Sequence, residues 1–242
     1  MNNSLGFCEI PDGFLDFYQS VCACPCSSQE CPKIINQAAQ GYPPRGFYTR
    51  GTEGSVKILI VGKNPGHPLE EERALYCQKS SREIAEAQWH LIDQVFKNCH
   101  SPEMRKNRSM TFHRNLLRYF SYFLDLPPDE VFRYCAYTNL VKCQSIGEQD
   151  KLEKPAIDNC LDRHFQREYQ RYRPSILVAL GNEVFQALSR AKLQVPLIKL
   201  KHPSYFYSKL KEPATLQQLK RNIQEALRLV LNLEPCHIFF KT

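Results

Sequence analysis

Apolar runs alternate with amphipathic stretches along this chain, a pattern typical of α/β proteins. Short runs rich in apolar and β-branched residues predict buried strands at residues 56–61, 131–138, 176–180 and 196–201. Apolar side chains at helical spacing predict helices at residues 12–21, 80–99, 109–124, 155–171, 183–191 and 215–231. Such alternation favours parallel strands joined by right-handed crossovers. We therefore expect an α/β three-layer sandwich with a central, mainly parallel four-stranded sheet and helices on both faces.

Several finer features follow from local composition. Residues 41–54 are rich in Gly and Pro and predict irregular structure, whereas the run at 237–240 is a candidate edge strand. Asn182 is the predicted cap of the helix that follows it. Since no stretch has the composition of a linker, we expect a single domain over residues 1–242, with a cysteine-rich segment at about residues 22–31 packed on it.

Bulk composition narrows the class of protein. Of the 242 residues, 43% are hydrophobic and 24% are charged, as in a globular chain with a sizeable core. No apolar stretch approaches the roughly 20 residues that cross a bilayer, and the first residues do not resemble a secretory signal. We expect a cytoplasmic (or nuclear) monomer that is neither secreted nor bound to a membrane. The net charge of +7 permits a nucleic-acid partner without requiring one.

Two polar loops directly follow predicted strands. Residues 62–66 read Gly-Lys-Asn-Pro-Gly, and residues 202–204 read His-Pro-Ser. Ligands of open α/β sheets bind beyond the carboxyl ends of the strands, so the two loops can form one site. The amide of Asn64 can orient a water or bond to a base edge, and His202 can donate to a developing anion. A plain turn is the alternative for the first loop, because Asn-Pro-Gly is ordinary turn composition.

Further polar groups extend this candidate site. Asn139 ends a predicted strand, so its amide can reach the same crevice. Residues 205–207 read Tyr-Phe-Tyr and precede Lys209. An aromatic tip flanked by cations suits insertion into a base stack with contacts to phosphates, and a buried aromatic cluster is the alternative.

The chain contains eleven cysteines, which in a reducing compartment favour metal binding over disulfides. Cys22, Cys24, Cys26 and Cys31 are clustered, and Cys143 and Cys160 follow later in the chain. Four thiolates suit a 4Fe–4S cluster or a tetrahedral zinc ion, and the spacing leaves the metal open. We expect the remaining, scattered cysteines to be small buried hydrophobes.

Together these motifs resemble the uracil-DNA glycosylase superfamily. Residues 60–66 look like its first motif, in a form closest to the mismatch-specific and single-strand-selective branches. Residues 202–204 look like the second motif, which carries the leaving-group histidine and the minor-groove loop. Residues 137–143, then Cys160, then residues 176–181 are similar to the iron–sulfur branch.

The chain departs from the iron–sulfur branch at three places. Lys63 and Asn64 stand where that branch usually has a carboxylate or Ala, and the early cysteines lack a C-x2-C pair. Cys31 matches the second cysteine of that pair, and we assign the first to Cys26, with Cys24 or Cys22 as alternatives. The aromatic residue that stacks on the base maps by spacing to Tyr76, where Phe is commoner.

The resemblance implies a monofunctional DNA glycosylase that flips uracil, or a related deaminated base, out of DNA and excises it, initiating base excision repair. The implied residues are Asn64 and His202 for catalysis; Gly62, Tyr76, Asn139 and Ser204 for the base; Tyr205, Phe206, Tyr207 and Lys209 for DNA; and Cys26, Cys31, Cys143 and Cys160 for a 4Fe–4S cluster, with zinc as the alternative. Glu70, Glu71 or Glu72 can supply a base, or can form a solvated acidic turn. The alternative functions are a non-catalytic, metal-stapled nucleic-acid binding module and a zinc-bearing hydrolase of small nucleotides.

Overall fold

One mixed sheet of five strands organises the part of the chain that the structure describes. This computed structural model describes residues 10, 13–25, 29–35, 47–66, 79–107, 110–147, 151–191, 193–203 and 213–231. Its strands are β1 (Phe47–Tyr48), β2 (Ile58–Gly62), β3 (Cys135–Asn139), β4 (Ile176–Leu180) and β5 (Leu197–Leu200). Their order is β1-β3-β2-β4-β5. Strands β3, β2, β4 and β5 are parallel, and β1 pairs antiparallel with β3.

The sheet confirms the predicted α/β class and corrects two details. The prediction of four strands is incomplete, because β1 lies within the segment expected to be irregular. A strand of two residues is too short to show an alternating pattern. The predicted strand at 131–138 is wrong in its first half, where Val131–Tyr134 forms one helical turn before β3. Short apolar runs do not distinguish buried helix from buried strand.

The predicted helices are present, with ends that agree to within two residues. They are α1 (Phe14–Cys22), α2 (Ser81–Asn98), α3 (Thr111–Leu124), α4 (Val131–Tyr134), α5 (Lys154–Cys160), α6 (Gln166–Tyr172), α7 (Asn182–Arg190) and α8 (Pro213–Leu231). A π-helical turn, Leu161–Phe165, joins α5 to α6. A capping box between Ser80 and Glu83 starts α2. Asn182 does not cap α7; that position belongs to Gly181, whose φ is +99°.

The central strands β2 and β4 are buried along their whole length, which explains their uninterrupted apolar sequences. Helices pack against them to form one continuous hydrophobic core in the described residues. Because four strands are parallel, Gly62, Asn139 and the loop after β5 lie at the same edge of the sheet. None of the described helices is both long enough and apolar enough to cross a membrane. The candidate edge strand at 237–240 is outside the described residues.

Candidate active site

The carboxyl ends of β2 and β3 bring Gly62 beside Asn139. The two residues are partners in the parallel register. A Cβ atom at Gly62 would lie 2.8 Å from Asn139 Oδ1 and 2.6 Å from Tyr137 Oη. Real side chains do not approach so closely, so the absence of a side chain at position 62 makes room for these two polar groups.

The side chain of Asn139 is buried and held in a defined orientation. The hydroxyl of Tyr137 donates to Asn139 Oδ1 over 2.8 Å. The backbone carbonyl of Asn139 accepts from Lys142 Nζ over 2.9 Å. Beyond the strand, Leu140 N donates to the Gly62 carbonyl over 2.8 Å. The peptide and the amide of Asn139 are therefore both fixed by neighbouring groups.

Asn64 lies two residues beyond β2 and is half-buried. Its Nδ2 donates to Ser145 Oγ over 3.2 Å and to the Pro65 carbonyl over 3.3 Å. Among the residues that the structure describes, no donor bonds to Asn64 Oδ1. An amide held in this way can accept a hydrogen bond from a water through its oxygen.

The loop after β5 carries His202 and is anchored to α3. The buried side chain of Asn115 donates through Nδ2 to the Pro203 carbonyl over 2.9 Å. The imidazole of His202 stacks on Phe112, with 5.2 Å between ring centroids and 28° between planes. Burial lowers the pKa of His202 below its usual value. His202 is therefore neutral at pH 7 and carries one ring N–H donor.

Phe112, on α3, contacts residues at the ends of both β3 and β5. Strands β3 and β5 are separated by β2 and β4, a distance of about 14 Å at normal strand spacing. Phe112 contacts His202 on one side, and its ring centroid lies 5.6 Å from that of Tyr137 on the other. A continuous series of contacts thus joins Asn139 to His202. The same edge of the sheet carries two amides, Asn64 and Asn139, and the imidazole of His202.

A buried ion pair lies directly beneath Asn139. Lys142 Nζ is 2.7 Å from Glu168 Oε1, and each side chain is only 2% exposed. Thr138 Oγ1 donates to Glu168 Oε2 over 2.9 Å. Burial raises the pKa of Glu168, and the ammonium of Lys142 opposes that shift. The end of β3 is therefore tied by charge to the helix that follows the π-helical turn.

Lys63, in the loop after β2, forms an ion pair with Glu183. Its Nζ lies 3.2 Å from Glu183 Oε2, on the first turn of α7. Glu183 Oε1 also accepts a hydrogen bond from the backbone of Leu152 over 2.5 Å. Lys63 therefore ties the loop after β2 to the helix after β4.

The cysteine-bearing segments meet, but the described thiols do not form a metal site. Ile34 forms an antiparallel bridge with Ser145, two residues beyond Cys143. Asn159, next to Cys160, donates to the Glu30 carbonyl over 2.8 Å and lies 3.8 Å from Cys31 Sγ. Within the described ranges, no group of three or more His, Cys, Asp or Glu side chains is placed to hold a metal ion. Cys26, the fourth predicted ligand, is outside these ranges, so the described cysteines Cys31, Cys143 and Cys160 do not by themselves test the predicted cluster.

Several predicted site residues lie outside the described residues. They are Tyr76, Ser204, Tyr205, Phe206, Tyr207 and Lys209, together with Glu70, Glu71 and Glu72. The described residues Gly62, Asn64, Asn139 and His202 lie at one edge of the sheet, as their positions after strands imply.

Sequence reasoning missed the residues that support these groups. Two of them carried a signal in the sequence. Tyr137 is two residues from Asn139 and so lies on the same face of β3, and Lys142 is a charged residue next to the apolar pair Leu140 and Val141. Phe112 and Glu168 come from distant helices, where no local pattern points to this edge of the sheet.

Comparison with known families agrees with this arrangement. A family model described as the uracil DNA glycosylase superfamily matches residues 49–228. The matched stretch includes β2 through β5 and both polar loops, and it begins after the segment that carries Cys31. No curated protein sequence matches the chain significantly.

Proposed function

Since the chain belongs to the uracil-DNA glycosylase superfamily, we propose that it is a monofunctional DNA glycosylase. It flips uracil, or a related deaminated base, out of DNA and hydrolyses the N-glycosidic bond, which initiates base excision repair. The observation that carries this proposal is the position of Asn64, Asn139 and His202, at or just after the ends of three different strands, along one edge of the sheet.

The target base must leave the duplex before it reaches this crevice, at a cost of a few kcal/mol. Tyr205, Phe206 and Tyr207 fill the gap in the duplex, while Lys209 contacts phosphate. The extruded base stacks on Tyr76. Ser204 and the backbone at Gly62 line the remainder of the base site.

Asn139 distinguishes uracil from cytosine. Its Oδ1 accepts from Tyr137, and we assign its Nδ2 as the donor to a bound base. Uracil has a carbonyl acceptor at the position where cytosine has an amino donor. An N–H donor in a buried site therefore bonds to uracil and is left facing another donor with cytosine, which is unfavourable.

Cleavage leaves negative charge on the departing base, and His202 stabilises that charge. Because His202 is neutral at pH 7, it acts as an N–H donor to the developing oxyanion. Removal of one such donor lowers rates by about 10²–10³-fold in other enzymes. The stacked ring of Phe112 holds the imidazole in place.

Asn64 orients the water that attacks the sugar. Its Nδ2 is directed to Ser145, and its oxygen accepts from the water. An amide is a poor base, so Asn64 positions the water without taking its proton; after the water oxygen has bonded to the sugar, that proton is lost and the departing base anion gains one, which completes the hydrolysis. We therefore expect a slower enzyme than relatives that carry a carboxylate at this position.

A 4Fe–4S cluster, or alternatively zinc, held by Cys26, Cys31, Cys143 and Cys160 is a separate proposal. It is supported by the resemblance to the iron–sulfur branch and by the backbone bridge between residues 34 and 145. No step of the reaction described above passes through a metal.

A base-release assay tests the proposed function. The wild-type chain is incubated with single- and double-stranded oligonucleotides containing one uracil, hypoxanthine, xanthine or mismatched thymine. Free base is identified, and abasic sites are revealed by alkaline strand cleavage. We expect release of at least one deaminated base and none from matched cytosine or thymine. DNA binding without release supports the binding module, and cleavage of free nucleotides supports the small-nucleotide hydrolase.

A further inference from the structure

We infer that Lys142 and Glu168 are positioning residues, which hold the carboxyl end of β3 so that Asn139 presents its amide at a fixed place. Their consequence for excision rests on the proposed function. The geometric claim concerns the fold alone and is tested separately below.

The ammonium of Lys142 is directed at the end of β3. Its Nζ lies 2.7 Å and 2.8 Å from the two oxygens of Glu168. It also donates to Thr138 Oγ1 over 2.6 Å and to the Asn139 carbonyl over 2.9 Å. A lysine has three N–H donors and here has three acceptor groups. Two of these groups belong to the last two residues of the strand.

Stability alone does not explain this ion pair. Each side chain is 2% exposed, so both charges have been removed from water at a large free-energy cost. Apolar residues of similar size often replace such pairs without loss of stability. An apolar pair would fill the same space but would leave the Asn139 carbonyl without its donor. The directed hydrogen bond is what the charged pair adds.

The chain leaves the sheet at this point, which makes the restraint important. Strand ends normally fray, because few contacts hold them. Here Leu140 N and Val141 N extend the pairing with β2, donating to the carbonyls of Gly62 and Lys63 over 2.8 Å and 3.0 Å. Lys142 then turns back beneath Asn139 to reach Glu168 on α6. The ion pair thus fastens the residues that follow β3 to the helix layer.

Native-state hydrogen exchange of the full-length wild-type chain tests the geometric claim. We expect the amides of Leu140 and Val141 to exchange only with global unfolding, as we also expect for the buried amide of Ile60 in the centre of β2. Exchange of Leu140 and Val141 through local opening, while Ile60 stays protected, overturns the inference. This arm needs neither a variant nor enzymatic activity.

The double variant Lys142→Met/Glu168→Leu tests whether the ion pair is what protects the amides of Leu140 and Val141 from exchange. We expect exchange at Leu140 and Val141 to become roughly ten-fold faster or more, as fits the loss of a charge-assisted hydrogen bond, with little change in global unfolding. The matched control Lys220→Met/Asp125→Asn removes an ion pair between α8 and the residue after α3, keeps a side chain that tolerates the left-handed backbone at position 125, and leaves this exchange unchanged. Wild-type exchange rates in a folded double variant overturn the inference.

Excision kinetics connect the restraint to function. If the wild type releases uracil, the double variant loses kcat by roughly ten-fold or more, whereas KM for the oligonucleotide changes little, because Asn139 no longer presents its amide correctly. Unchanged kcat in a variant with faster exchange overturns the positioning role. If the wild type releases no base, the proposed function fails, and the exchange measurements still decide the geometric claim.

Discussion

At the scale of single residues, the hydroxyl of Tyr137 is the smallest group with a predicted effect on base reading. It donates to Asn139 Oδ1, and its ring contacts Phe112. Tyr137→Phe retains the ring and removes only the hydrogen bond. We expect kcat/KM for uracil excision to fall about 2–10-fold, the usual effect of one neutral hydrogen bond. Tyr122→Phe, at a side chain that is 40% exposed, is the control. Equal rates for both variants would contradict this assignment.

His164 gives a prediction about acid stability. It is 5% exposed, and its Nδ1 has no hydrogen-bond partner among the described residues. Burial, aided by the positive charges of Lys142, Arg167 and Arg163, lowers its pKa to about 3. The unfolded chain therefore binds one more proton than the folded chain between that pKa and the usual His pKa of about 6.5. Folding stability falls as the pH decreases through this window.

The measurement is urea unfolding at pH 7 and pH 5. We expect His164 to account for a loss of about 2 kcal/mol in the free energy of unfolding between these values. The free energy of unfolding of His164→Gln should fall correspondingly less than that of the wild type between pH 7 and pH 5. If His164→Gln shows the same pH dependence as the wild type, this histidine is not responsible.

At the scale of elements, the close approach of β2 and β3 predicts a strong effect of a single methyl group. The Cβ of Gly62→Ala would meet Tyr137 Oη and Asn139 Oδ1, whereas that of Gly54→Ala has no neighbour within 4 Å among the described residues. We expect Gly62→Ala to lower the free energy of unfolding by about 1–3 kcal/mol, as overpacking does, and to abolish most uracil excision. Gly54→Ala should change neither quantity. A fully active Gly62→Ala would show that Asn139 can shift without consequence.

The elements also show how far the sequence predicts this fold. Strands β2 and β4 were predictable because both faces are buried, which requires an uninterrupted apolar run. The turn α4 was not, because the buried Val131 and Phe132 fit a strand and a helix equally well. The two-residue strand β1 depends on its pairing with Tyr137 and Thr138, which no local pattern reveals.

The same reasoning applies to the candidate site. Asn64, Asn139 and His202 were predictable as a group because each lies at or just after the end of a strand, and parallel strands end at one edge. Phe112 and Glu168 were not, since each lies on a helix and reaches the edge only through tertiary packing. Local sequence therefore identified polar groups at the carboxyl ends of the strands and missed the side chains that hold them.

At the scale of the whole molecule, the cysteine-bearing segments link the early part of the chain to the site. Residue 34 bridges residue 145, whose hydroxyl accepts from Asn64. If a 4Fe–4S cluster or zinc reinforces this link, metal-binding free energy contributes to folding. We expect the purified chain to carry iron and sulfide, or zinc. Cys143→Ala should lose the metal and lower Tm, whereas Cys99→Ala, buried in the core, should retain the metal. A metal-free wild type, or a Cys143→Ala variant of unchanged Tm, contradicts the metal proposal.

The central claim is that side chains from separate strand ends act together on one extruded base. Single-turnover release of uracil by Asn64→Ala and by His202→Ala tests it most directly, with unfolding measured in parallel to show that both variants remain folded. We expect the rate to fall by about 10²-fold or more in each variant, because each loses a group that acts in the transition state. Release at the wild-type rate in both variants would contradict the account.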